Sequence, residues 1–92
     1  MRVIIRAKAD DDIDHVFAWI AKDNPSAATD MVARIQERIN QLATEGLAYI
    51  GHIGVVAGTL EIIVRPYIIV YKVFERRREI VILSIVHGAQ NR

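Results

Sequence analysis

His87 carries more chemical promise than any other side chain in this sequence. It closes the last long apolar run and is followed by Gly88-Ala89-Gln90. An imidazole changes charge near neutral pH, so it can give or take a proton, and a neighbouring glycine lets another chain approach closely. A structural histidine bonded to the preceding loop reads equally well from the residues alone. His15 falls on the border of an apolar helical stripe and reads as surface, and His52 lies in a glycine-rich stretch. Ser26, at a helix start, and Ser84, inside a strand, do not suggest a triad. Asp10-Asp11-Asp12 could suggest a metal site, but consecutive helical positions point in different directions. The triplet therefore reads as carboxylates complementing the N–H groups of a helix start. There is no His-x-x-x-His, no carboxylate cluster at ligand spacing and no phosphate-cradling glycine loop. With no cysteine, thiolate metal sites, disulfides and Cys nucleophiles are excluded together. No metal or cofactor is expected.

The elements that must position these groups have to fit into 92 residues, which allows a single domain over 1–92. At 52% hydrophobic and 25% charged the composition is that of a globular domain with a modest core. Apolar runs stay far below membrane-spanning length, so no membrane association and a cytoplasmic location are expected. The net charge is +1, but residues 1–46 hold six basic and eight acidic side chains, and residues 47–92 hold six and three. The basic half could face an acidic partner, nucleic acid or protein, or simply water.

Residues 2–6 read as a β-branched strand. Ile13, Val16, Phe17 and Ile20 then form one helical stripe. Asn24 is a suitable N-cap and Pro25 a suitable first residue for a second helix, whose stripe runs through Ala28, Val32, Ile35, Ile39 and Leu42. Asp30 and Arg34 are spaced for an ion pair on its outer surface. Gly46 supplies a stop. Residues 46–58 hold four of the five glycines and are expected to be irregular, with Leu47, Ile50 and Ile53 tucked in. From 59 to 86, 12 of 28 residues are Ile or Val, which predicts strands at 59–64, 67–74 and 79–86. Their short connections, Arg65-Pro66 and a turn at Arg76-Arg77-Arg78, require antiparallel neighbours. The nearly all-apolar 67–74 should be the central strand, with Tyr67, Ile69, Tyr71 and Val73 on one face. The fold class is α+β, ordered β-α-α-β-β-β, a helical hairpin packed on a small antiparallel sheet.

Several segments also resemble the RelE/ParE superfamily of type II toxin–antitoxin toxins, and its ParE branch most. Ala9-Asp10-Asp11-Asp12-Ile13 resembles the family's first-helix opening. Trp19-Ile20-Ala21, Asp23-Asn24-Pro25 and Ala27-Ala28 resemble its helix junction. Gly58-Thr59-Leu60-Glu61, Pro66 to Val73, and His87-Gly88-Ala89-Gln90 resemble its strand motifs. The order and spacing of these segments run the length of the chain. The resemblance implies a toxin that inhibits DNA gyrase without catalysis and is neutralised by an antitoxin in a hetero-oligomer. The alternatives are a RelE-like endoribonuclease acting on mRNA at the ribosome, and an antitoxin-binding homologue that has lost toxicity. Three positions depart from the family's pattern: Gly51-His52 replaces a frequent Gly-Arg, Leu60 an arginine, and Gln90 a terminal arginine. Phosphodiester cleavage needs cations for its transition state, and Leu60 and Gln90 supply none. If the chain were a nuclease, His87, Arg65 and Lys72 would be the catalytic candidates. The expected partner-binding residues are His52, Glu61, Tyr67, Tyr71, His87, Gln90 and Arg92.

Overall fold

The computed structural model describes residues 1–89, so Gln90 and Arg92 lie outside the described residues. A short first strand, β1 (Arg2–Ile5), leads into α1 (Ala7–Ala21). The helix begins three residues ahead of the acidic triplet, on an extended Arg6 with no side-chain cap, because Ala7 and Lys8 are good helix formers. Only Asp10 sits in the first turn, and Asp12 is carried into the second. This corrects the assignment of the triplet to the helix start.

α2 (Pro25–Gln41) begins as its sequence dictates: the Asn24 side chain accepts a hydrogen bond from the Ala27 N–H at 3.0 Å, and Pro25 follows it. Ala28, Ile35, Ile39 and Leu42 are buried, as the stripe requires. Asp30 and Arg34 do not meet within ion-pair distance, so that expected pair is absent.

β2 (His52–Ile53), β3 (Leu60–Val64), β4 (Tyr67–Phe74) and β5 (Glu79–His87) complete a five-stranded sheet in the order β1-β5-β4-β3-β2. β4 is central, as expected. The sheet is mixed, however: β1 pairs with β5 in parallel, and the other pairs are antiparallel. No short loop joins β1 to β5, so nothing obliges them to run in opposite directions. β2 emerges from the stretch expected to be irregular and covers only Leu60 and Glu61 of β3.

The helices pack on one face of the sheet. The core there joins Ile13 and Val16 of α1 and Ile35 and Ile39 of α2 to Ile62, Ile69, Tyr71, Ile80, Ile82 and Ile85. A single irregularity decides which way the end of β5 faces. On β4, Val70 lies opposite Ser84 and Tyr71 opposite Ile82, so Leu83 is one extra residue in β5. Side chains alternate along a strand, so Ile80 and Ile82 face the helices, and the inserted Leu83 lets Ile85 and His87 face them too. In an unbroken strand His87 would point to the opposite face.

In the glycine-rich connection the expectation of buried Ile50 and Ile53 is overturned. Ile53 is 90% exposed and Ile50 is exposed as well. Ile53 sits on a two-residue edge strand with nothing packed over it, and Ala48 is the residue of this stretch that packs on the core. Among the described residues no helix is long and apolar enough to cross a membrane.

Candidate functional site

The bulge in β5 builds an open hollow of about 320 Å³ where α1 meets the ends of β4 and β5. Asp12, His15, Trp19, Tyr67 and His87 surround it over a floor of Val16 and Ile85. His87 lies opposite Tyr67 in the ladder, and their rings meet edge to face with centroids 5.4 Å apart. The His87 Nδ1 accepts a hydrogen bond from the Ala89 N–H at 3.0 Å, so in the neutral ring the proton sits on Nε2. The next glycine also makes the close approach that the sequence suggested. The Gly88 N–H donates to the Pro66 carbonyl at 2.7 Å, and a Cβ on Gly88 would lie 3.0 Å from that oxygen.

Asp12 is committed to structure. β1 pairs with β5 only as far as Ile82, which leaves the rest of that edge without a strand. The Asp12 Oδ2 accepts the Ile85 N–H at 2.9 Å, satisfying an edge donor in place of a strand, and Lys8 pairs with the same carboxylate at 2.8 Å. The rim is more available. His15 is exposed, and Trp19 is 67% exposed with the Lys22 ammonium 5.1 Å from its ring centroid. Trp19 is a site residue that sequence reasoning missed. Its signal lies in the spacing: positions 12, 15 and 19 fall on one line of a helix, and this line flanks the apolar stripe.

The second group of candidates lies across the sheet, where the 46–58 connection crosses β3 and β4. Here the polar groups point inward. The buried Tyr71 hydroxyl accepts the Gly51 N–H at 3.1 Å. Glu61, also buried, accepts the Val55 N–H at 3.1 Å through Oε2. The Thr59 hydroxyl donates to the Val56 carbonyl at 2.6 Å, and the Gly54 N–H reaches the Thr59 carbonyl at 2.8 Å. Burial pushes the Tyr71 phenol above its ordinary pKa, and the Gly51 N–H only partly offsets this by favouring the phenolate. His52 is exposed on β2, opposite Glu61.

The three nuclease candidates are not brought together. His87 points to the helix face. Lys72, five residues along β4 from Tyr67 and so about 17 Å away, points to the other face beside the Phe74 ring. Arg65 lines a separate groove between α2 and β3. Among the described residues no group of three His, Cys, Asp or Glu side chains could hold a metal ion.

Residues 3–92 match the family model described as the ParE toxin of the type II toxin–antitoxin system parDE. The chain is 35% identical over 80 residues to a protein of Sinorhizobium fredii named "Putative toxin Y4kP", covering 85% of this chain and 78% of that protein. Among solved structures, the chromosomal ParDE toxin–antitoxin system from P. aeruginosa superposes with a TM-score of 0.80 at 24% identity, covering 95% of both chains. The RelBE2 toxin–antitoxin complex from Mycobacterium tuberculosis gives 0.64 at 21% identity, over 94% of this chain and 95% of that one. These two likenesses establish the fold.

Proposed function

The chain belongs to the ParE toxin family of type II toxin–antitoxin systems, and we propose that it inhibits DNA gyrase by binding and is held inactive by a cognate antitoxin. One observation carries the choice of inhibitor over nuclease: His87 and Lys72 lie on opposite faces of the sheet. A nuclease needs its proton-transfer group and its cations around one phosphate, and separating them forfeits the electrostatic stabilisation that dominates such reactions. An inhibitor needs a surface with a few aromatic or cationic anchors. The rim of the hollow offers Trp19 and Lys22 in that role, with the half-buried His87 beside them, while Tyr67 is buried in the wall behind. The antitoxin reading is supported by the two solved neighbours, both toxin–antitoxin systems.

The test adds purified chain to a gyrase supercoiling assay and, separately, to translated mRNA read by primer extension. The expected result is loss of supercoiling with accumulation of cleaved DNA, relief by the co-expressed antitoxin, and intact mRNA. His87→Ala should keep part of the inhibition, since contact surfaces weaken gradually when one group is removed. Site-specific mRNA cuts that disappear in His87→Ala, with gyrase untouched, would replace this reading with the endoribonuclease.

A further inference from the structure

The sheet face turned away from the helices carries a cationic row at the end where β4 turns into β5. Arg2, Glu79 and Phe74 lie opposite one another across β1, β5 and β4, so their side chains share that face. Lys72, two residues back along β4, points the same way. The Glu79 carboxylate is buried and pairs with both Arg2 and Arg77, the second at 3.9 Å. Arg77 also lies over the Phe74 ring, 4.5 Å from its centroid, and the Lys72 ammonium is 5.3 Å from the same centroid. One carboxylate and one ring thus hold three cations side by side.

The charges there do not balance. Glu79 can neutralise only one of its two arginines, and both stay open to a partner, with side chains 74% and 65% exposed. Arg76 is exposed beside them on the turn, whose other carboxylate, Glu75, is engaged by the Tyr49 hydroxyl. Arg2, Lys72, Arg76 and Arg77 therefore outnumber the two carboxylates by two charges, in a chain whose total is +1. Arg78 is directed elsewhere: with a φ of 52° it lines a separate depression against the end of α2. Residues 75–78 are exposed and all charged, so the turn lacks the apolar anchor that a protein partner needs. The Phe74 ring is half-buried and attended by two cations, which leaves no free platform for stacking an unpaired base.

We propose that this row and turn bind the phosphate backbone of double-stranded DNA without reading its sequence. Arg2, Lys72, Arg76 and Arg77 take the phosphates, while Glu79 and Phe74 hold the cations in place beforehand and so reduce the ordering cost of binding. A fixed row of cations suits the regular phosphate spacing of a duplex better than a flexible single strand. The contact puts the chain on the polymer that gyrase handles, yet it stands on this surface alone and is measured without gyrase. A chain that fails to bind DNA could still inhibit gyrase, and one that binds DNA could still spare it, so the two readings fail separately.

The probe is a labelled random-sequence DNA duplex, titrated with the intact chain by fluorescence anisotropy across a salt series. The logarithm of the binding constant should fall against the logarithm of salt with a slope of about −3 to −4, as for three or four neutralised phosphates. Arg76→Ala and Arg77→Ala should each flatten that slope by about one, and the double variant should bind about tenfold more weakly at low salt. Arg76→Lys keeps a point charge, which suffices for a phosphate, and should stay within about twofold of the wild type. Arg65→Ala, at the opposite end of β4 and about 25 Å away, should also change binding less than about twofold. Arg76 is exposed on the turn, so Arg76→Ala keeps the test open even if Arg77→Ala fails to fold. Absence of binding at low salt, a slope flatter than about −1, undiminished binding by the double variant, or an equal loss in Arg65→Ala would each overturn the proposal. So would tighter binding of single-stranded RNA, or of a poly-glutamate peptide, than of the duplex.

Discussion

The hollow at the end of β4 and β5 and the 46–58 connection hold similar residue types and use them in opposite ways. Each contributes a tyrosine on the helix-facing side of β4, a carboxylate and a histidine. At the connection, Tyr71 and Glu61 are buried and each holds one main-chain N–H, so their polar atoms serve the fold. In the hollow, Asp12 accepts the Ile85 N–H and the His87 ring the Ala89 N–H, while His15 and Trp19 on the helix remain exposed. The difference follows from what surrounds each backbone. Glycine-rich chain leaves donors that must be satisfied, and the nearest buried oxygens satisfy them, whereas a regular helix satisfies its own and leaves its side chains for other work.

Substitutions in and between the two regions put that contrast at risk. The largest effect removes a side chain of the strand that both regions share: Ile69→Ala, at a fully buried site, should cost about 2–5 kcal/mol in denaturant melts through lost transfer energy and a cavity. A loss below about 1 kcal/mol would mean that β4 is not the centre of the core. Next comes Gly51→Ala, whose new Cβ would lie 2.8 Å from both the Glu61 carbonyl and the Tyr71 hydroxyl. Overpacking of this kind should cost about 1–3 kcal/mol, and a neutral result would show the connection to be loosely held.

Tyrosine supplies the paired comparison. Tyr71→Phe strands the Gly51 N–H and should cost about 1–3 kcal/mol, while Tyr67→Phe should stay within about 0.5 kcal/mol. The pH dependence carries the same signature. The Tyr71 pKa is higher folded than unfolded, so its contribution is complete below the unfolded value, about 10, and is lost as pH rises through the folded one. Wild-type stability should therefore fall more steeply above pH about 10 than that of Tyr71→Phe, and parallel alkaline melts would contradict the burial argument. The smallest change in stability belongs to Trp19→Ala, within about 0.5 kcal/mol. Inhibition of supercoiling should nonetheless weaken about tenfold, as for an aromatic anchor. Undiminished inhibition would remove Trp19 from the contact surface.

Much of the architecture is legible in the residues. Asn24-Pro25 sets the start of α2, the stripes of both helices name their buried faces, and the two-residue Arg65-Pro66 connection forces β3 and β4 to run antiparallel. The ordered segments from Ala9 to Gln90 point to the family that residues 3–92 match. These features are local or periodic, and periodicity survives in a sequence without its fold. Where long-range partners land is settled by packing alone. β1 lies parallel to β5 because nothing nearby constrains it. Arg65 joins Arg34 and Arg38 only because β3 packs against α2. The direction of His87 is the least legible feature of all. From Ile80 to Val86 both alternate sets of positions are apolar apart from Ser84, so hydrophobicity cannot reveal the one-residue insertion at Leu83. Only the register against β4 shows which parity is buried, and that register turns His87 toward α1.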